Sequence, residues 1–439
     1  MASKSVDLDI AQEGQRAQLE GAARFIIDHV SPTGHMSASP NYKWYTMHWF
    51  RDSAFTTTAL FEAGEFLNNK NQELATQCMD AAKRINSFNI DAIANHMDHI
   101  REGNRIALEM GDFNQLKYHV PAKVGRDGRV FRGMVGNIWV DDTDNNGLVQ
   151  HDSVPLVLLA LVKEIESTGT LGKKIEDFLG ENLKTLVEYM AKYFKTECCN
   201  AWEEDCGYGH AYDVAAMHAG FEAAKKLSAH LSLDYTPESI DRTIEGNYEG
   251  GPLKYMKDYF IRDNVLYGMR DKYSENPRID RGVDTQFIFA FNMFGITDKA
   301  LGTKGVVRNT MTMIEKTLFQ CKEECSPHML GLRYEDDSYF RGGRWLISGA
   351  QRADYYLAMA KPNLAVAREY SRYFGTFGGS YPEQVLEHPA SKKDRPDEYL
   401  LNNGGKMIQD LLWSYAEVLR FEVRFQKLLD ERNGKQIRR

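Results

Sequence analysis

Apolar residues recur at spacings of three and four along most of this 439-residue chain. That is the period of helices with one buried face. Ile10, Leu19, Ala22, Ala23, Phe25, Ile26 and Val30 follow the spacing over 9–30, and Ser31-Pro32-Thr33-Gly34 stops it. The same pattern predicts helices over 54–67, 73–100, 154–168, 175–196, 212–231, 251–259, 285–294, 306–320, 345–360, 363–374 and 406–429. β-like runs are short, at 128–135 and 331–334, enough for hairpins between helices and not for a large sheet. No Pro/Gly/Ser-rich linker, low-complexity tract or fixed-period repeat divides the chain, so one all-α domain with long functional loops is expected.

Composition narrows the partners. Fifty-four Lys and Arg against 62 Asp and Glu leave a net charge of −8, which gives no general attraction to phosphate backbones or anionic lipid. The longest apolar run, Val154 to Val162, is about half of the roughly 20 residues that cross a bilayer, so neither nucleic acid nor a membrane is expected as a partner. The first 21 residues lack an apolar run of the secretory kind, and a cytoplasmic location is the expectation. Six cysteines are few and are expected to be reduced. Cys321, Cys325 and His328, and Cys198, Cys199, Cys206 and His210, approach metal-ligand spacing, but neither group makes a complete knuckle, and no metal or cofactor is expected.

The loops carry the chemistry. Trp49-Phe50-Arg51-Asp52, Gln150-His151-Asp152, Trp202-Glu203-Glu204, Arg333-Tyr334-Glu335-Asp336 and Tyr381-Pro382-Glu383-Gln384 each sit just before or at the start of a helical stretch. One such acid alone is most often a helix cap or a dipole partner. Five clusters of like composition in the same relation to helices are a different matter, because in a ring of helical hairpins they converge at one end. Carboxylates and Arg hydrogen-bond hydroxyls while aromatic faces cover sugar C–H groups, so the clusters suit a carbohydrate pocket. No G-x-S-x-G, no P-loop and no complete G-x-G-x-x-G competes with that reading.

The 45–60 segment, YTMHWFRDSAFTTTAL, resembles the W-x-R-D-[SA] motif of the glucoamylase family, glycoside hydrolase family fifteen. Gln150-His151-Asp152-Ser153 is similar to that family's Q-N-D-G, Ala201-Trp202-Glu203-Glu204 to L-W-E-E, and Gly331–Asp336 to G-R-Y-P-E-D. Ser380–Gln384 is similar to S-x-x-E-Q and Leu412–Ala416 to L-T-W-S-Y-A. Six motifs in order over 45–416 imply an (α/α)6 barrel with its pocket at one end, spanning 1–439 without a separate carbohydrate-binding module.

The resemblance implies an inverting, exo-acting α-glucoside hydrolase with Glu203 as general acid and Glu383 as general base. Inversion needs those carboxyls about 6.5–9.5 Å apart, with room for water. By the same match Tyr45, Trp49, Arg51, Asp52, Trp139, Trp202, Glu204 and Arg333 bind substrate. Glu204 directly follows the acid and would raise its pKa, although adjacent side chains diverge and favour a contact with the leaving sugar. The chain departs from the family at Asp205-Cys206-Gly207-Tyr208, at Asn200 where an aspartate is usual, and in the spacing of Trp139 to Asp152. A small oligosaccharide, isomaltose or maltose in type, is the expected substrate. Trehalose cleavage, a catalytically inactive sugar-binding barrel and a helical scaffold for protein partners are the alternatives. Oligomeric state and linkage are left open.

Overall fold

The computed structural model describes residues 2–42, 45–110, 119–129, 132–135, 138–141, 150–204, 208–270, 282–320, 329–335, 337, 343–385 and 408–437. The described residues form α1 (Ala2–Asp28), α2 (Phe50–Leu67), α3 (Gln72–Ala94), α4 (Met97–Met110), α5 (Ser153–Thr168), α6 (Lys173–Tyr193), α7 (Ala211–Leu231) and α8 (Pro237–Asn247). These are followed by α9 (Gly251–Phe260), α10 (Gln286–Met293), α11 (Asp298–Leu301), α12 (Val306–Leu318), α13 (Leu346–Ala358), α14 (Leu364–Gly375) and α15 (Leu412–Ile437).

Six of these close a ring, in which α2 packs on α5, α5 on α7, α7 on α10, α10 on α13, α13 on α15 and α15 back on α2. The helices between them in sequence lie outside: α1 against α15, α3 against α2, α6 and α9 against α7, and α14 against α13. Outer and inner helices alternate along the chain, which is the all-α (α/α)6 barrel expected from the motifs. The patterns fit the layers. All residues of α2 but Glu65 are buried, and α5 opens with the apolar run from Val154, whereas the outer α6 and α14 show polar faces between their buried positions. Where α5 crosses α7 the backbones come so close that a Cβ on Gly220 would lie 2.3 Å from Pro155 Cβ.

Among the described residues the strands make only two-stranded antiparallel ribbons: β1 (His48–Trp49) with β2 (Lys123–Val124), β3 (Arg132–Val135) with β4 (Ile138–Asp141), β5 (Gly209–His210) with β8 (Met269–Arg270), β6 (Ile261–Arg262) with β7 (Val265–Leu266), and β9 (Arg344–Trp345) with β10 (Gln384–Val385). Three of them, β1, β5 and β9, run directly into the inner helices α2, α7 and α13.

Two expectations need correction. The helix expected over 73–100 is two helices, because the chain turns at Asn95-His96 between α3 and α4. The helix α8 was not expected, although Thr236 caps it by accepting from Ser239 N and Pro237 occupies its first position. Among the described residues no helix is long and apolar enough to cross a membrane.

Candidate active site

The starts of all six inner helices meet. Asp152 is the residue before α5, His210 precedes α7, Thr285 precedes α10 and Trp345 precedes α13, while Arg51 and Asp52 lie in the first turn of α2 and Trp413 in that of α15. Their side chains meet: Arg51 lies over the Trp413 ring at 5.2 Å and 3.6 Å from Asp152, and Ser348 Oγ of α13 donates to Thr285 Oγ1 at 3.0 Å. Helix starts present unpaired N–H groups and the positive end of the dipole, an environment that suits carboxylates and sugar hydroxyls.

Arg51 is the hub of one side. Its guanidinium is almost fully buried and faces Asp52 at 3.8 Å, Asp152 at 3.6 Å and Glu203 at 3.5 Å. Trp49 Nε1 donates to Glu203 Oε1 at 2.5 Å, and Tyr212 Oη donates to Asp152 Oδ2 at 3.2 Å. Burial pushes the Asp52 carboxyl up to about 7, with Arg51 pulling it down and Glu203 and Asp152 repelling its charge. Burial likewise raises Asp152 and Asp213. Arg51 is thus surrounded by carboxyls, and at Asp52, Asp152 and Asp213 burial outweighs its attraction.

Glu203 occupies a turn of unusual shape. Its φ is +62, in the left-handed region that non-glycine residues seldom adopt. Asn200 supplies the reason, since its Oδ1 accepts from Trp202 N at 2.9 Å and from Glu204 N at 3.1 Å. The backbone closes the same loop, with Glu203 N donating to Asn200 O at 3.0 Å and Asn200 N to Glu204 O at 3.1 Å. Gln150 Nε2 donates to Asn200 O at 3.1 Å, which ties this loop to the 150–152 cluster. Asn200 thus staples the turn that presents Glu203.

The other side is built on Arg333. It donates to Asp337 at 2.6 and 2.9 Å and to Glu204 Oε1 at 2.8 Å, and lies 4.9 Å from the Trp345 ring and 5.8 Å from that of Trp202. Tyr334 Oη donates to Glu204 Oε2, so both oxygens of Glu204 are held by protein groups. Trp202 Nε1 donates to Asp284 Oδ1 at 2.9 Å.

Glu383 sits one residue before β10, whose Gln384 pairs with Trp345, and Glu383 N donates to Ile408 O at 3.0 Å. Tyr45 Oη donates to Glu383 Oε1 at 2.9 Å, while Oε2 is buried without a partner among the described residues. Burial pushes this carboxyl up to about 8; the Tyr45 hydrogen bond and Arg333 oppose the rise, and Asp52 and Glu203 add to it. The net effect of these neighbours is to favour the protonated form of Glu383.

The structure thus brings together Tyr45, Trp49, Arg51, Asp52, Trp202, Glu203, Glu204, Arg333 and Glu383. Trp139 lies in β4 opposite Met134, and its side chain is outside the described residues. Asp336, Cys206, Cys321, Cys325 and His328 are outside them too. The expectation of reduced thiols fails at Cys199, which is in a disulfide, whereas Cys78 and Cys198 are free. Sequence reasoning did not single out Asp213, Asp284 or Asp337; for Asp213 and Asp284 the available signal was an acid at the start of a helical stretch, and for Asp337 there was none.

Comparison with known proteins agrees with the fold. No family model matches the chain. A glycosidase solved in its wild-type form superposes with a TM-score of 0.70 at 18% identity, covering 93% of this chain and 97% of that one. A variant of that glycosidase solved with glucose gives a TM-score of 0.72 at 18% identity, covering 94% and 97%. The glucoamylase of Saccharomycopsis fibuligera gives 0.62 at 15% identity, covering 95% of each chain. By sequence, the chain is 25% identical over 273 residues to an uncharacterized glycosyl hydrolase of Methanocaldococcus jannaschii, a match that covers 57% of this chain and 40% of that protein. The chain has the (α/α)6-barrel fold of the glucoamylases.

Proposed function

We propose that this protein is a glycoside hydrolase of the glucoamylase type, which releases glucose with inversion from the non-reducing end of short α-glucans of the isomaltose or maltose kind. The fold shared with glucoamylases and a glycosidase supports this reading, as does the similarity to a glycosyl hydrolase. The observation that carries it is the pair Glu203 and Glu383. Each has one oxygen engaged by an aromatic donor, Trp49 or Tyr45, and Glu383 keeps its second oxygen free of protein partners among the described residues.

In this scheme Glu203 gives its proton to the glycosidic oxygen as the bond breaks, and Glu383 takes a proton from the water that attacks the opposite face. Arg51 and Asp52, fixed in the first turn of α2, hold the terminal sugar by its hydroxyls. Such a grip at the bottom of the pocket makes the action exo. Glu204, held by Arg333 and Tyr334, is set to receive a hydroxyl of the leaving sugar. Burial pushes the Glu383 carboxyl up to about 8, so its base form grows as pH rises toward that value.

The test follows the anomer released by purified protein from maltose, isomaltose, their longer oligomers and trehalose by proton NMR. First appearance of β-glucose supports the proposal and identifies the linkage. Release of α-glucose first, or no release from any of them, overturns it. Glu203→Gln and Glu383→Gln keep shape but remove proton transfer, so each lowers kcat by about 10²–10⁴-fold.

A further inference from the structure

Inside the ring of helices, a row of charges runs from the site along α15. Trp413, Glu417, Arg420 and Arg424 recur at spacings of four, three and four, so they share one face of that helix. Trp413 Nε1 donates to Glu417 Oε1 at 3.0 Å, and Glu417 Oε2 accepts from Gln351 Nε2 of α13 and pairs with Arg420 Nη2 at 2.7 Å. Arg420 Nη2 lies 3.5 Å from Asp354, which accepts from Arg424 Nη1 at 2.5 Å. Arg424 finally forks onto Glu62 of α2, at 2.9 and 3.1 Å. Glu417, Arg420 and Asp354 are each at most 2% exposed.

Burying such a row is not explained by stability. Removing ions from water costs several kcal/mol each, and well-packed apolar residues of similar volume commonly do as well or better. The row's upper end offers another explanation. The Trp413 indole has its one polar atom tied to Glu417 and its faces bounded by Phe55 in parallel at 5.3 Å and Phe289 at 5.4 Å, and it lies beneath Arg51.

We propose that Glu417 is a positioning residue: backed by Arg420, Asp354 and Arg424, it locks the Trp413 indole and, through that ring, the Arg51 guanidinium that faces Asp52, Asp152 and Glu203. The proposal deepens the glycoside-hydrolase reading and rests on it for its kinetic consequence. Its structural consequence stands apart from any activity.

Protein labelled with 5-fluorotryptophan gives one fluorine resonance per indole, and Trp413→Phe assigns the one concerned. Glu417→Gln keeps an acceptor for the indole but leaves both Gln351 Nε2 and Arg420 Nη2 facing an amide NH2 in place of Oε2. Arg424→Met perturbs the row at its half-exposed far end, and serves alone should the first variant not fold. Either change is expected to shift or broaden the Trp413 resonance and to raise KM for the best substrate about fivefold or more, with kcat changed less. A role confined to stability lowers the melting temperature but leaves resonance and KM at wild-type values in the folded protein, and overturns the proposal. So does a change in one readout without the other. Should the wild type cleave none of the sugars, the activity reading falls, and an unmoved Trp413 resonance in the variants still overturns the positioning claim.

Discussion

Tyr45 Oη donates a hydrogen bond to Glu383 Oε1 at 2.9 Å, joining two side chains 338 positions apart in the sequence. The bond stabilises the ionised carboxylate in a site where burial favours the protonated form. Removing it in Tyr45→Phe raises the Glu383 pKa further. The acidic limb of kcat/KM, which reports the free enzyme's base, should lie near pH 8 in the wild type and move upward in the variant. A pH–rate profile of both proteins checks this, and coincident limbs would show that another group sets the limb.

Asn200 holds the turn that places Glu203 at positive φ. Asn200→Ala removes the acceptor shared by Trp202 N and Glu204 N, at a cost of about 1–3 kcal/mol for donors left buried. The turn then relaxes toward ordinary backbone angles and carries the carboxyl with it. The expected result is a fall in kcat larger than any change in KM, while Asn200→Asp, which keeps the acceptor, retains most of the activity. Steady-state kinetics of the two variants decide it.

The α5–α7 crossing depends on Gly220. An alanine methyl would meet Pro155 Cβ at 2.3 Å, so one backbone must move. Overpacking of this kind costs about 1–3 kcal/mol. Thermal melting of Gly220→Ala should show a transition lowered by several degrees, and an unchanged midpoint would mean that the two helices separate freely.

Glu422 tests the pH dependence of stability away from the site. It is fully buried, Gln18 Nε2 donates to its Oε1 at 3.4 Å, and burial pushes it up to about 8. An unfolded glutamate loses its proton near 4.5, so between there and pH 8 the folded state holds a proton that the unfolded state has released. Stability from this group is therefore full below about pH 4.5 and declines as pH rises to 8. Glu422→Gln cannot titrate, so its melting temperature relative to wild type should increase steadily across that window. Buried histidines such as His48 and His119, which burial holds down to about 3, cancel in this difference because both proteins contain them. A constant difference with pH would show that Glu422 is ionised in the folded protein.

Much was legible before any coordinates. Helical periodicity alone locates α5, α7, α9 and α12 to within two or three residues, because a helix crossing a barrel wall must repeat its apolar face every turn. It missed the α3–α4 break, where the chain turns at Asn95-His96 without a glycine or proline to mark it. Aromatic and acidic clusters between the helical stretches, with the order of the family-like motifs along the chain, pointed to Arg51, Asp52, Glu203 and Glu383.

What only the tertiary structure decided is which of these groups meet, and which way burial moves the carboxyls of Asp52 and Glu383. Nothing in the local sequence says that Tyr45 reaches Glu383, that Asn200 staples the Glu203 turn, or that Glu204 is taken by Arg333 and Tyr334. The Asn200 contacts span only two to four residues within one turn, whereas Tyr45–Glu383 and Arg333–Glu204 join positions more than a hundred apart and become neighbours only when the helix starts converge. The pKa shifts follow from the same convergence. Desolvation depends on everything packed around a carboxyl, so the rise at Glu383 and Asp52, like the row from Trp413 to Glu62, belongs to the closed ring and to no single segment of the chain.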